Sequence, residues 1–475
     1  MRKTHGALIA LIGLILAASL VYGGLYLYAG QRSVPERTTL AGWNVGGMDI
    51  AKARAELERK LQALHAIPVT LTGGGETEIQ VTLKDAGISY DADPFLEGLD
   101  RLTNGGLLDR VKARRSFVKT WGLEANWDSA PLKRTLSPQW ERTAFGEPVN
   151  ATRRITESDQ IVYTPGETSR RIDWNAMESS LRAALPESLS QLEALRSKGV
   201  VVQLPLKTVQ PDVTVKSLQD QGVARKIAEF STSLGSSGPG RSYNVNSAAK
   251  AVNDTLLPPG GIFDYGKAIE KAEQTTGFRE APVIVSGRLQ PGVGGGICQV
   301  SSTLYNAALR TGLEIVERRS HSLPVSYLPK GQDATFSQGS INFRFRNNTG
   351  HYLLIRSAVA GRALTVKFFG TFPQNVSYEV ESRTVDILSP GSRTVSDASL
   401  PPGASRTLQS GKAGYIVETY VTRKVDGKAV DRKKLSRDIY RPQQALVAVG
   451  SGQARPAVPE PSERPLVEDG IRKNN

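Results

Sequence analysis

The amino-acid sequence predicts an α+β protein of several domains that follows one N-terminal transmembrane helix. The chain has 475 residues, which at about 150 residues per domain is enough for roughly three domains. Residues 7–29 carry no charged side chain, whereas the chain overall is 39% hydrophobic and 22% charged, as in folded modules that face water. Apolar residues recur at helical spacing in some later segments and alternate as in strands in others.

The N-terminal apolar segment is long enough to cross a membrane. As a helix, its roughly 23 residues would span about 34 Å, slightly more than the hydrocarbon layer of a bilayer. Arg2 and Lys3 precede it, so the positive-inside rule places the N-terminus in the cytoplasm. A cleaved signal peptide is the alternative, although its apolar region would normally be shorter. We therefore predict an uncleaved single-pass anchor in residues 1–30, with the ectodomain outside the cell membrane on the cell-wall side.

Composition indicates the kind of partner. Lysine and arginine outnumber aspartate and glutamate by 60 to 46, which gives a net charge of +14. This excess favours a polyanion, and outside the cell that means an anionic wall polymer or lipid surface, not nucleic acid. The single cysteine, Cys298, excludes an internal disulfide. One cysteine and scattered histidines do not make up a zinc ligand set, so we predict no metal and no cofactor.

Helices and strands alternate after a predicted polar linker at residues 31–42. A helical pattern at 50–64 is followed by strand patterns at 68–72 and 79–83, and a second half repeats this theme. Short connections between such elements predict a mixed α+β, repeat-like region at 43–206. No catalytic set of residues stands out there, so its predicted role is binding or spacing.

The amino-acid composition changes after this region. Glycine and serine become dense, and we predict a second α+β domain at 216–375. Residues 379–450 consist of short strand patterns with turn signals, including Asp426-Gly427 as a hairpin turn, and predict a small β-rich module. Prolines among charged residues predict a disordered tail at 451–475.

The segment 294–309 carries the predicted chemistry. A run of glycines precedes Cys298 and a helical pattern follows it, so Cys298 is predicted to lie near a helix N-terminus. Helix-start N–H groups and the helix dipole stabilise a thiolate, which is the nucleophilic form of cysteine. The backbone at Gly295, Gly296 and Gln299 is the predicted turn and oxyanion site. A buried cysteine that fills a core gap is the alternative.

A base is needed to accept the thiol proton, and His321 is our candidate. It follows Cys298 by 23 residues, an interval that a helix and a returning strand would fit. Asp333 is the candidate group that orients the imidazole, and a turn or cap role is its alternative. The chain has three other histidines, which lie in less suitable contexts: His5, His65 and His351.

Three further residues are candidates for substrate binding. Ser301 follows the thiol by three residues. Arg344 and Arg346 alternate with aromatic residues, so on a strand both would share one face and could grip a carboxylate in bidentate fashion. A solvated strand face is the alternative for the two arginines.

Residues 226–371 closely resemble the VanW family. Matching blocks occur in order across this region: 259–265, 294–309, 317–322, 325–329, 331–335 and 342–345. Some clostridial proteins with this domain are L,D-transpeptidases that use the cysteine of the motif. The resemblance therefore implies an α+β VanW domain in which Cys298 is the nucleophile.

The flanking regions resemble cell-wall modules. Residues 43–206 are similar to a peptidoglycan-binding domain that often precedes VanW domains, and residues 379–450 are similar to the five-glycine domain. Together the resemblances imply peptidoglycan as the partner. We predict a membrane-anchored envelope protein that performs cysteine-dependent acyl transfer of the L,D-transpeptidase type on stem peptides. The alternative is a non-catalytic VanW protein that binds or scaffolds peptidoglycan.

Overall fold

The computed structural model describes residues 2–73, 78–186, 188–285, 288–450, 467–468 and 470–471. It has the predicted mixed α+β class, with one N-terminal apolar helix, many small sheets and a β-rich C-terminal region. The chain forms two compact units. The N-terminal unit comprises residues 1–150 and 166–212, and the C-terminal unit comprises residues 151–165 and 213–475.

The elements are numbered in chain order. The helices are α1 (Arg2–Ala29), α2 (Ile50–His65), α3 (Asp93–Thr103), α4 (Leu107–Arg115), α5 (Ser129–Thr135), α6 (Pro138–Phe145), α7 (Trp174–Ala184), α8 (Leu192–Lys198), α9 (Val215–Asp220), α10 (Pro239–Val252), α11 (Tyr265–Thr275) and α12 (Ile297–Arg310), with a 3-10 turn at Leu189–Gln191. The strands of the N-terminal unit and the first hairpin are β1 (Thr39–Leu40), β2 (Trp43–Asn44), β3 (Pro68–Thr72), β4 (Glu78–Thr82), β5 (Ile88–Asp91), β6 (Thr120–Trp121), β7 (Glu124–Trp127), β8 (Thr152–Ile155), β9 (Ile161–Thr164), β10 (Ser169–Ile172), β11 (Val200–Gln203) and β12 (Leu206–Val209). The remaining strands are β13 (Arg225–Ser233), β14 (Thr255–Leu257), β15 (Ile262–Asp264), β16 (Glu280–Val285), β17 (Arg288–Val293), β18 (Glu314–Glu317), β19 (Arg344–Arg346), β20 (Leu353–Ala360), β21 (Ala363–Gly370), β22 (Val376–Leu388), β23 (Ser392–Ser396), β24 (Ser405–Gln409), β25 (Gly414–Val425), β26 (Lys428–Tyr440), β27 (Ala445–Val449) and β28 (Val467–Glu468).

The apolar N-terminal segment forms α1. Residues Thr4–Ala29 of this helix are long and apolar enough to cross a membrane, by length and composition. A signal sequence near the N-terminus satisfies the same criteria. The helix therefore agrees with both alternatives that the sequence left open, the anchor and the signal peptide.

The N-terminal unit is built around amphipathic helices and short sheets. Helix α2 has the predicted position, and the Asp49 carboxylate caps it by accepting hydrogen bonds from the N–H groups of Ala51 and Lys52 at 2.9 and 3.2 Å. Strands β11, β3 and β4 form one sheet, in which β11 and β3 run parallel. The apolar faces of these elements share one hydrophobic core.

The predicted linker at 31–42 needs a correction, because this segment is part of the folded unit. Val34 and Leu40 are buried in the core, and β1 pairs with both β2 and β6. The buried guanidinium of Arg114 donates hydrogen bonds to the carbonyl oxygens of Gln31 and Ser33. Burial, strand pairing and these hydrogen bonds fix the segment in the folded unit in spite of its polar composition.

The predicted boundaries of the repeat-like region also need a correction. Residues 151–165, which lie inside the predicted range 43–206, belong to the C-terminal unit. They form the β8–β9 hairpin, in which Ile155 packs with Val223, Leu354 and Phe369. At the hairpin turn, the Asp159 carboxylate accepts hydrogen bonds from the amines of Lys226 and Lys367 at 2.6 and 2.7 Å.

The core of the C-terminal unit surrounds helix α12. An antiparallel sheet of order β13-β21-β20-β14 packs against α10 and α12. The sequence predicted a helix here, and the structure buries every residue of it from Ile297 to Leu309. The polar ones among them are tolerated in the core because each is hydrogen-bonded: Gln299, Ser301, Ser302, Thr303 and Asn306.

The C-terminal β-rich module has two three-stranded sheets, β22-β25-β26 and β23-β27-β24. Asp426 and Gly427 connect β25 to β26 with φ angles of 48° and 76°, as a tight hairpin turn requires, so this prediction is confirmed. The disorder predicted for 451–475 falls mostly outside the described residues. It is wrong for residues 467–468, because β28 adds to the edge of β16.

Candidate functional site

A glycine turn leads the chain into helix α12. Gly296 is the residue before the helix, with a left-handed φ of 107°, and a Cβ atom there would lie 2.9 Å from Cγ of Arg241. At Gly295, a Cβ atom would lie 2.3 Å from the carbonyl oxygen of Pro282. Both positions therefore require glycine, because a side chain would strain the backbone at one and collide with it at the other.

Cys298 is the second residue of α12, so the predicted position near a helix start is confirmed. Its side chain has no exposed surface. The N–H group of Phe336 donates a hydrogen bond to Sγ at 3.1 Å. The Cys298 thiol in turn donates a hydrogen bond to the Phe336 carbonyl oxygen at 3.3 Å. The amide donor and the helix start stabilise a thiolate, whereas burial opposes any charge on the sulfur.

Residues 333–336 run alongside the first turns of α12. The Ala334 N–H donates to the Ser302 hydroxyl at 2.9 Å, and the Ser301 hydroxyl donates to the Ala334 carbonyl at 2.6 Å. With the Phe336 contacts to Cys298, these bonds fix the segment against the helix. Ser301 is fully buried, and its hydroxyl takes part in these bonds. The structure therefore offers no exposed Ser301 hydroxyl for the predicted contact with substrate.

The same segment carries the partner of His321. The Asp333 carboxylate lies 2.7 Å from Nδ1 of His321 and accepts the His321 backbone N–H at 2.7 Å. A carboxylate oxygen accepts a hydrogen bond here, so Nδ1 of His321 carries the proton that it donates. The other ring nitrogen, Nε2, faces away from Asp333. Both side chains are buried, at 1% and 0% exposed. The structure thus brings together Asp333 and His321. Asp333 also lies in the same segment as Phe336, whose backbone contacts Cys298.

Asp333 has further partners that the sequence did not suggest. The Tyr440 hydroxyl donates to it at 2.6 Å, and the Arg318 guanidinium lies 3.6 Å away. Burial alone would raise the pKa of Asp333, but hydrogen bonds from His321 and the charges of His321 and Arg318 outweigh it and lower the pKa to about 2. Burial and the charge of Asp333 raise the pKa of Tyr440 well above its usual range, so its hydroxyl stays protonated.

The C-terminal β-rich module therefore contributes directly to the site. Asp438, from the same strand as Tyr440, binds Arg318 at 2.6 Å. Arg318 also donates to the Asp333 carbonyl at 2.7 Å. Sequence reasoning missed Tyr440 and Asp438 as site residues, because no local pattern links positions more than 100 residues after Asp333 to the histidine.

Gln299 and Arg241 lie at the glycine turn. The Gln299 N–H donates to the Gly296 carbonyl at 3.0 Å, so it closes the turn instead of pointing into an oxyanion site. Its side-chain amide donates to Thr232 and Ser233 and accepts from Arg241 at 3.2 Å. Arg241 is a third residue that sequence reasoning missed, since no motif marks it.

The two strand arginines share one face of β19, as predicted, but they are paired with acidic neighbours. Arg344 lies 3.3 Å from Asp264, and Arg346 lies 3.0 Å from Glu314. Their binding to a substrate carboxylate stays a prediction that would require exchange of these ion pairs. No cluster of three His, Cys, Asp or Glu side chains suited to a metal ion occurs among the residues that the structure describes.

Family models match three consecutive regions of the chain. The model "VanW like protein" matches residues 240–369, which include Cys298, His321 and Asp333. The model "Putative peptidoglycan binding domain" matches residues 79–192, and the model "G5 domain" matches residues 378–451. This is the order that the sequence predicted.

Two solved structures of G5 domains are similar to a small part of this chain. The "IgA1 Protease G5 domain structure" is 23% identical, with 16% of this chain and 92% of that chain covered and a TM-score of 0.14. The "Crystal structure of HP0197-G5" is 35% identical, with 15% and 97% covered and a TM-score of 0.12. With such TM-scores, these matches carry no argument beyond the family model.

Two curated proteins are similar over longer regions. The uncharacterized protein YoaR of Bacillus subtilis is 32% identical over 234 residues, which are 49% of this chain and 72% of YoaR. The vancomycin B-type resistance protein VanW of Enterococcus faecalis is 35% identical over 112 residues, which are 22% of this chain and 41% of that protein. From these relatives and the three family models, we conclude that the chain belongs to the VanW family and combines its VanW-like region with a peptidoglycan-binding-type domain and a G5 domain.

Proposed function

We propose that this protein is a membrane-anchored cell-wall protein whose C-terminal unit catalyses Cys298-dependent acyl transfer on peptidoglycan stem peptides, as an L,D-transpeptidase does. One observation carries the proposal. The Cys298 thiol lies at a helix start and contacts the backbone of Phe336. Three residues before Phe336, the Asp333 carboxylate is hydrogen-bonded to Nδ1 of His321. Nucleophile, base and orienting carboxylate are the three parts that a cysteine acyltransferase needs.

The first half of the reaction would form a thioester. The Cys298 thiol proton passes to Nε2 of His321 while the sulfur attacks the amide carbonyl that precedes the terminal D-amino acid of a stem peptide. The carbonyl oxygen becomes an oxyanion, for which backbone N–H groups of the glycine turn at Gly295 and Gly296 are the proposed donors. The C–N bond then breaks, and the released D-amino acid takes the proton from His321.

The second half would form the cross-link. An amine of a neighbouring stem peptide attacks the thioester carbonyl and gives its proton to His321. The C–S bond breaks, and the sulfur regains the proton from His321, so the enzyme returns to its starting state. Asp333 and Tyr440 would keep the imidazole in one tautomer and orientation during both halves.

The other regions would bring the site to its substrate. The region matched by the peptidoglycan-binding family model supports peptidoglycan as the partner, and the G5 match supports a place in the cell wall. Helix α1 would act as a single-pass anchor with a cytoplasmic N-terminus. The net charge of +14 suits anionic wall polymers as additional partners.

A non-catalytic role in wall binding is the second candidate, and one observation favours it. Cys298 has no exposed surface, and its sulfur is hydrogen-bonded to the Phe336 backbone as a structural thiol would be. In that case α12 is a packing element, and the protein tethers peptidoglycan without changing it.

Incubation of the purified full chain in detergent micelles with peptidoglycan fragments separates the two functions. We expect cross-linked product by mass spectrometry from the natural chain and none from Cys298→Ala or Cys298→Ser. Val300→Ala is the matched control, because it removes buried volume two residues away on the same helix without touching the sulfur. Equal product from Cys298→Ala would exclude the proposed nucleophile.

A further inference from the structure

The C-terminal segment, by which we mean the described residues 467, 468, 470 and 471, lies between Ile284 and Val285 on one side and Ser337 on the other, and we call the space between these residues the cleft. Its strand β28 pairs antiparallel with β16, with Glu468 opposite Ile284. Gly470 then forms a parallel bridge with Ser337, and the Ile471 N–H donates to the Val293 carbonyl at 2.9 Å. These contacts are backbone contacts, and they place the segment between the β16–β17 hairpin and the loop at Ser337.

Both walls of this cleft are close along the chain to the surroundings of Cys298. On one side, Ser337 directly follows Phe336, the residue whose backbone binds the sulfur. On the other side, Val293 and Gly294 begin the glycine turn, and a Cβ atom on Gly294 would lie 3.1 Å from Cγ1 of Ile471. Ile471 is only 7% exposed and belongs to the same hydrophobic cluster as Cys298.

These contacts are those of strand addition. An extended peptide that joins a sheet edge is held by main-chain hydrogen bonds, which depend little on its sequence, and by pockets for some of its side chains. Here the main-chain partners are Ile284, Ser337 and Val293, and the apolar pocket is the one that Ile471 fills.

We propose that this cleft is a groove for an extended peptide, and that the chain's own C-terminal segment occupies it and closes access to Cys298. That the natural competitor is a peptidoglycan stem peptide rests on the proposed function. The occupied groove explains how a nucleophile can have no exposed surface in this conformation. A covalently attached ligand competes at an effective concentration on the order of millimolar for a short linker, so free peptides meet a strong competitor.

The test measures how fast iodoacetamide alkylates Cys298, the single cysteine, under native conditions. We expect alkylation to be about tenfold faster or more in a chain that ends at Gly450 than in the full chain, since the burial of Ile471 is lost. Ile471→Asp should give a similar increase within the full chain. Ile471→Val is the matched control and should change the rate little, because it keeps an apolar side chain in the pocket.

A peptide added in trans makes the test independent of the shortened chain's stability. A synthetic peptide of residues 464–475 should slow the alkylation of the shortened chain again, with saturation, whereas a scrambled peptide of the same composition should not. Equal alkylation rates in the full chain, the shortened chain and Ile471→Asp would overturn the groove and its occupant.

The outcomes for the groove and for the proposed function are distinguishable. If the shortened chain exposes its thiol but makes no cross-linked product from wall fragments, the groove stands and the acyl transfer is contradicted. If the two chains make product and are alkylated at the same rates, the acyl transfer stands and the groove is contradicted.

Discussion

Helices α2 and α12 show two ways in which this chain stabilises a helix. Helix α2 in the N-terminal unit is amphipathic, with four buried residues at helical spacing: Ile50, Ala53, Leu57 and Leu64. Helix α12 in the C-terminal unit is buried on all sides, and six of its thirteen buried residues carry hydroxyl or amide side chains. The first helix is held by one apolar face, and the second is held by apolar contacts and by specific hydrogen bonds.

The difference matters because a buried polar side chain is stable only with its partners in place. In α12 those partners come from three other segments: the end of β13, residues 332–336 and, for Gln299, Arg241 of α10. Such an arrangement fixes one geometry around Cys298, whereas the apolar face of α2 tolerates other side chains of similar volume. The contrast predicts that substitutions cost more free energy around α12 than around α2.

The sequence itself provides a separate probe for each unit. All five tryptophans, Trp43, Trp121, Trp127, Trp140 and Trp174, lie in the N-terminal unit, so their fluorescence follows that unit alone. Cys298 lies in the core of the C-terminal unit, so its reaction with a thiol reagent in denaturant follows the opening of that unit. The predictions below use these two signals.

The largest effect is expected for Asp333→Asn. The change leaves the buried guanidinium of Arg318 without one of its two carboxylate neighbours, and loss of one partner of a buried charge pair costs about 3–5 kcal/mol. Denaturant unfolding should show this loss in the thiol signal and no shift in the tryptophan signal. Asp100→Asn is the control in the other unit, where an exposed pair with Arg54 is worth at most about 1 kcal/mol. Equal losses in the two variants would contradict the contrast.

The second effect is a dependence of stability on acid. The pKa of Asp333 in the folded chain is about 2, below the value of about 3.9 in an unfolded chain, so its charged form stabilises the fold. This contribution, roughly 2–3 kcal/mol, is complete above about pH 5 and is lost progressively as the pH falls to about 2 and below. We expect the free energy of unfolding of the C-terminal unit to fall more steeply over this range in the natural chain than in Asp333→Asn. Parallel curves would contradict it.

A smaller effect is expected for Ser302→Ala. The buried N–H group of Ala334 loses its acceptor, which costs about 1–2 kcal/mol. Ser180→Ala on α7 is a matched control, because the Ser180 hydroxyl only donates to a carbonyl of its own helix and is partly exposed. It should change stability by less than about 0.5 kcal/mol. A control variant that loses as much as Ser302→Ala would remove the distinction between the two kinds of helix.

The smallest effect concerns the start of α2. Asp49→Ala removes the side-chain cap of the first turn and should lower the stability of the N-terminal unit by about 1 kcal/mol. The tryptophan signal should shift and the thiol signal should not. Asp49→Asn keeps an acceptor oxygen and should restore most of the loss; if it does not, the cap is not the cause.

Local patterns in the sequence predicted the local features of this protein. The anchor-length helix, the position of α2, the Asp426-Gly427 turn and the position of Cys298 at a helix start all follow from short-range rules. The pairing of His321 with Asp333 was accessible because the two lie 12 residues apart. Their catalytic roles, and that of Cys298, stay predictions.

Contacts between distant parts of the chain were not predictable in this way. Tyr440 is 107 residues from Asp333, and β28 pairs with a strand about 180 residues earlier. The sequence around each of them reads as an ordinary strand or tail. Tyr440 is positioned by the buried Asp333 carboxylate, which needs hydrogen-bond donors. Strand β28 is positioned by the edge of β16, which accepts a further strand. Both features exist only in the folded chain.

The β8–β9 hairpin determines how the two units can be separated. Because residues 151–165 lie in the C-terminal unit, the chain passes between the units at 150–151, 165–166 and 212–213. A fragment that starts near residue 216 would lack the hairpin, exposing Val223 and Phe369 and leaving Lys226 and Lys367 without Asp159. Expression of the VanW-like region alone should therefore start at Ala151 or supply this hairpin as a separate peptide, and a single proteolytic cut between the units would leave them covalently joined.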